Sequence, residues 1–157
     1  MVRIRPENPT KLLVLAEELF VANEAFMQAI ELARDSSPQD RAEFYNDLAT
    51  SLLRLGRMAE SEDAFIAASK LAEDNWQSCY NIAVIRIKRL DYQGAIPALS
   101  KAIDRGMGVK IAIGLGRILV QLEGTGIEEL YLRMLGQPDL LEEDRQILNK
   151  ELQALTQ

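Results

Sequence analysis

Residues 80–103 read YNIAVIRIKRLDYQGAIPALSKAI, and this stretch decides the fold. It opens with Tyr80-Asn81-Ile82-Ala83, passes through Leu90-Asp91-Tyr92-Gln93-Gly94-Ala95-Ile96, and closes on Lys101-Ala102-Ile103. The same order of residue types stands 34 residues upstream. Leu48-Ala49 falls opposite Ile82-Ala83, Ser61 opposite Ala95, Phe65 opposite Leu99, and Ala68 opposite Ala102. Gly56-Arg57-Met58 lies opposite Leu90-Asp91-Tyr92 at the same offset. Five matched positions and a matched turn at one separation make a repeat. The spacing has a physical reason. Small residues (Ala49, Ala83, Ser61, Ala95) let the two helices of a hairpin approach closely, and large ones (Tyr45, Phe65, Leu99) fill the gap above them. Ala68 and Ala102 leave room for the next hairpin to stack.

Outward from this stretch the pattern is helix, short turn, helix, with no segment that alternates like a strand. Ser37 is an N-cap with Pro38 behind it, and the helix it opens runs through Leu55 to a turn at Gly56. A second helix covers Met58 to about Glu73. Asp74 caps a third, from Asn75 to about Leu90, and Asp91 marks the turn into a fourth that ends near Arg105 at Gly106 and Gly108. Val109 to Leu122 is helical despite Gly114 and Gly116. Thr125 and Glu128 have the spacing of a capping box for a helix to about Leu135, and Asp139 and Glu142 that of a second. The last helix places Leu141, Leu148, Leu152 and Leu155 on one face. Ahead of the repeat, Leu12, Leu15, Leu19, Ala22, Phe26, Ile30 and Ala33 form one helical stripe from Pro9 to about Asp35, with Asn8 as cap. It reads either as one long helix or as a hairpin turning near Asn23. Short connections make neighbouring helices antiparallel.

The period and these residues resemble the tetratricopeptide repeat, most closely over residues 42–106. Two departures stand inside that region: Arg86 occupies a place where the family favours an aromatic, and neither strong repeat ends in Pro. A third repeat set from Val109, with Leu115-Gly116 as its large–small pair, fits an offset of 33 and is degenerate. The resemblance implies an all-α fold of antiparallel hairpins stacked as a short right-handed superhelix with terminal capping helices. The expected organisation is one domain over 1–157: an N-terminal helix or degenerate hairpin (1–35), repeats at 42–75 and 76–108, a degenerate repeat at 109–136, and a capping helix at 139–157.

Family likeness further implies that the first helix of each hairpin lines a concave groove holding a peptide or helix of another protein. Phase places Asn46, Thr50, Leu53 and Arg54 there in the first repeat, with Glu43 and Asp47 beside them. In the second it places Gln77, Tyr80, Asn81, Val84, Ile87 and Lys88, and in the third Lys110, Ile113, Gly114, Arg117 and Val120. The two Asn side chains can donate and accept toward a peptide backbone, Tyr80 is a rigid anchor, and Val84, Ile87, Ile113 and Val120 would form an apolar floor. Packing against the terminal helices would account for some of these residues equally well. Some family members clamp a chaperone's terminal carboxylate with Lys, Asn and Arg side chains; of the corresponding positions here only Asn81 matches, so no clamp is expected.

Composition narrows the functions further. The 157 residues carry a net charge of −6, and no histidine is present, which removes the commonest general base and metal ligand. Cys79 is the one cysteine and lies in a helical pattern, so it reads as a small packed residue. No catalytic residue, cofactor or metal is expected, and the acidic balance argues against nucleic acid. The N-terminus lacks the pattern of a signal peptide and no apolar run is long enough to span a membrane, which points to the cytoplasm. Residues 84–117 are locally basic, with Arg86, Lys88, Arg89, Lys101, Arg105, Lys110 and Arg117 against Asp91 and Asp104. That band suits an acidic partner segment, and it reads equally as ordinary solvated helix surface. The expected function is a non-enzymatic adaptor or small chaperone, with a scaffold self-assembling through its terminal helices as the alternative and RNA binding behind both.

Overall fold

The computed structural model describes residues 28–122 and 125–157. Among them every regular element is an α-helix and there is no strand. The chain divides into two compact units, one ending at Glu73 and one spanning Asp74–Gln157. Most of the Pro9–Asp35 segment, including Asn8 and the choice between helix and hairpin, lies outside the described residues. Its end is helical over 28–32, with Ala29 and Ala33 buried.

The first unit contains α1 (Pro38–Arg54) and α2 (Met58–Leu71), packed as a hairpin. Ser37 caps α1 by accepting from the Asp40 amide at 3.1 Å, with Pro38 supplying a preset φ where no amide donor is needed. Gly56 closes the helix at φ 75°, a left-handed conformation that lets the Arg57 amide reach back to the Leu52 carbonyl at 2.9 Å. The interface follows from the small residues. Ala49 and Ser61 are both wholly buried, and the Ser61 hydroxyl donates to the Ala49 carbonyl at 2.6 Å. Phe65 fills the space beside them. Tyr45, expected as a second filler, is only half-buried. The neighbouring Phe44 takes the core position, with Tyr45 edge-on to it at 6.1 Å.

The second unit holds α3 (Trp76–Lys88), α4 (Tyr92–Asp104), α5 (Val109–Gln121), α6 (Ile127–Leu135) and α7 (Glu142–Leu155). Asn75, not Asp74, caps α3, its carboxamide accepting from the Gln77 and Ser78 amides. Asp91 caps α4 by accepting from the Gly94 amide at 2.9 Å. Leu90 takes the place of Gly56 and adopts the same left-handed backbone, φ 65°, with a side chain 72% exposed. Ala83 and Ala95 are wholly buried between α3 and α4, as Ala49 and Ser61 are between α1 and α2. Pro97 stands inside α4, where it removes one amide donor from the ladder. In the same turn the Gly94 carbonyl accepts from the Arg86 guanidinium at 2.8 Å. Arg86 therefore serves α4 where the family favours an aromatic ring.

Neither expected capping box forms. The N-cap of α6 is Gly126, in a left-handed conformation, and the Thr125 hydroxyl instead meets the Gln93 carboxamide at 3.3 Å. The N-cap of α7 is Leu141, without a side-chain cap, and the acidic first turn (Glu142, Glu143, Asp144) faces the positive end of the helix dipole. Between α5 and α6 the large–small logic recurs with a new partner. Tyr131 is buried against Gly116, where an added Cβ would lie 2.1 Å from its hydroxyl. The repeat period also governs the ion pairs. Lys110 reaches Glu143 at 3.1 Å and Arg117 reaches Glu151, separations of 33 and 34 residues. Since both pairs advance in step, α5 and α7 run parallel.

Candidate partner-binding surface

The residues expected to hold a partner fall on the first helices, and each unit presents its own set. On α1, Asn46 and Leu53 are half-buried while Thr50 and Arg54 are exposed. The Thr50 hydroxyl donates to the Asn46 carbonyl at 2.9 Å, a back-bond within the helix that occupies its proton. Arg54 sits in the last turn, where a cation favours the dipole.

On α3, Gln77 and Lys88 are exposed, and Tyr80, Asn81, Val84 and Ile87 are half-buried. The Tyr80 ring stands edge-on to Trp76, centroids 6.1 Å apart at 80°. Trp76 holds the Tyr80 ring by an i,i+4 contact and belongs to this surface; the sequence signal was that spacing alone.

On α5 the expectation needs correction. Ile113 is no groove floor: it is 4% exposed, and its carbonyl lies 3.4 Å from the buried Tyr131 hydroxyl. Lys110 and Arg117 are exposed but already engaged by carboxylates of α7. Arg117 contributes two nitrogens to Glu151, one at 3.0 Å, and this bidentate grip holds the glutamate below its usual pKa. The exposed apolar residues of α5 are instead Ile111, Ile118 and Val120. Ile111 and Ile118 were missed, although their seven-residue spacing about Gly114 puts all three on one stripe. A Cβ at Gly114 would meet nothing within 4 Å.

Neither α3 nor α5 carries an acidic residue, so the charged side chains of these two helices are all positive. Much of the basic band is used within the unit. Arg105 donates to the Asn75 carbonyl at 3.2 Å, Arg86 to Gly94, and Lys110 and Arg117 meet α7. At the far end of α5 a cleft of about 420 Å³ opens between Val120, Arg117 and Tyr131 on one side and Glu151, Ala154 and Leu155 on the other. Burial pushes the Tyr131 phenol up to about 12.

Cys79 is buried, and burial pushes its thiol up, away from the reactive thiolate. Among the described residues no cluster of three metal-ligating side chains occurs, and no helix is long and apolar enough to cross a membrane.

No curated protein matches the chain. The family model of the tetratricopeptide repeat matches residues 42–75, which span α1, its Gly56 turn, α2 and the step to Asn75. Repeats of this family generally mediate protein–protein interactions. The 34-residue hairpin built on Ala49, Ser61 and Phe65 is thus a tetratricopeptide repeat.

Proposed function

We propose that this protein is a non-enzymatic interaction module, an adaptor or small chaperone, that holds a peptide or helical segment of another protein on the faces of its first helices. The observation that carries the reading is the α3 face. Tyr80, Asn81, Val84 and Ile87 are all half-buried, offering apolar area beside a carboxamide with no acidic side chain on the helix. A rigid aromatic and an amide suit the capture of a polypeptide, whose backbone presents both donors and acceptors. Asn46 and Leu53 give α1 a smaller version of the same pairing. Gln77 and Lys88 would form the polar rim on α3, and Thr50 and Arg54 that on α1.

The proposed partner is a protein, met in the cytoplasm, and neither nucleic acid nor membrane is required. Capture of a natural partner from its own source, with the Tyr80→Ala/Asn81→Ala double variant as control, tests this. The variant should lose the partner while keeping its helical circular dichroism. Undiminished capture would remove α3 from the binding surface. A second reading, self-assembly through the terminal helices, draws on α7, whose side chains bridge to α5 at the repeat period. Light scattering that finds a strict monomer at high concentration rejects it.

A further inference from the structure

The cations on one face of α5, Lys110 and Arg117, were expected to be open, and a segment of the chain itself engages both while leaving them mostly exposed. That segment is acidic: α7 holds Glu142, Glu143, Asp144 and Glu151 against Arg145 and Lys150. Arg145 of α7 donates to the Leu135 carbonyl of α6 at 3.0 Å, and three more contacts lie along the helix. Glu143 meets Lys110, Glu151 meets Arg117, and Leu148 between them is wholly buried. It is the one fully buried side chain of α7, whereas α5 buries six residues. The helix has no side-chain cap at its start, and the Lys110 pair is exposed on both sides. Such pairs contribute little individually and are screened by salt.

We propose that this face of α5 is a docking site for an acidic amphipathic helix of a partner protein, and that α7 is its resident occupant, exchanged when the partner binds. The recognition pattern is the one α7 displays: a carboxylate, a leucine five residues on, and a second carboxylate three residues after that. The two cations read the carboxylates, and the site that buries Leu148 reads the leucine. The charge fits the partner class, because α5 has no acidic residue to repel it. This inference deepens the interaction reading for α5 and does not rest on Tyr80 or Asn81, so the two can fail separately.

The test uses a fluorescein-labelled peptide of residues 139–157 added to the full chain and followed by anisotropy. In Glu143→Lys/Glu151→Lys the resident helix is repelled by Lys110 and Arg117, and the peptide should bind about tenfold more tightly than to the wild type, as expected for losing two exposed pairs. Adding Lys110→Glu and Arg117→Glu re-pairs the resident helix with reversed signs and should return binding to the wild-type level or below. Equal, weak binding by all three chains overturns the proposal and leaves α7 a fixed cap. Hydrogen exchange on the unmodified chain decides independently of whether the variants fold. The α7 amides should exchange well before those of α5, and equal protection of the two helices rejects exchangeability.

Discussion

At Leu90 the backbone is left-handed and the side chain is largely in water, so the residue carries conformational strain with little burial in return. Leu90→Gly should therefore stabilise the protein by about 1 kcal/mol, seen as a higher midpoint in thermal unfolding. Gly116 is the opposite case. Any Cβ there collides with the Tyr131 phenol, and the ring lies in the core where it cannot swing away. Gly116→Ala should cost about 1–3 kcal/mol, measured by urea denaturation. Tyr131 also sets an alkaline limit. Its phenol, ordinarily near 10, is raised to about 12 in the folded protein. A raised value means that the fold favours the neutral form, so this contribution is complete below pH 10 and is lost as pH climbs toward 12. A pH series of unfolding midpoints should fall across that window, and Tyr131→Phe should flatten the fall.

Among the elements, the hairpins show what period and residue size can specify. Ala49, Ser61, Ala83 and Ala95 were legible as close-approach positions because only small side chains fit between crossing helices, and all four are wholly buried. The hydroxyl of Ser61 adds a bond across that contact, and Ser61→Ala should cost about 1 kcal/mol in the same denaturation experiment. Other features could not be read so easily. A capping box needs the helix to begin at one particular residue, and a glycine at 126 moved the start of α6 past Thr125. Phe44 and Tyr45 are adjacent, so a slight rotation of α1 decides which ring enters the core. The duty of Arg86 lies on a backbone carbonyl, that of Gly94, eight residues on and across a turn, which no local pattern picks out.

Over the whole molecule, local pattern shows which face of a helix is apolar and does not show what lies on it. Ile113 lies on the expected groove side of α5 by phase, yet it is buried, and Lys110 and Arg117 are held by carboxylates 33 and 34 residues away. Strongly acidic pH, below the ordinary glutamate range, should loosen that attachment. Glu151 titrates below its ordinary 4.5 because Arg117 grips it. Its lowered value contributes stability above the ordinary glutamate range, and the contribution fades as pH falls through the folded value. Hydrogen exchange measured at falling pH, corrected for intrinsic rates, should show α7 losing protection ahead of α3 and α4. Leu148→Ala should do the same at neutral pH, at about 2–5 kcal/mol for a fully buried leucine.

The phenol wedged on Gly116 has one more use. Because Tyr131 ionises late only while α5 and α6 stay closed over it, its ultraviolet titration is an unlabelled optical gauge of that closure. Any partner, variant or solvent that prises the two helices apart would announce itself as an earlier tyrosinate signal once the other three tyrosines are subtracted with Tyr131→Phe, and with no dye attached.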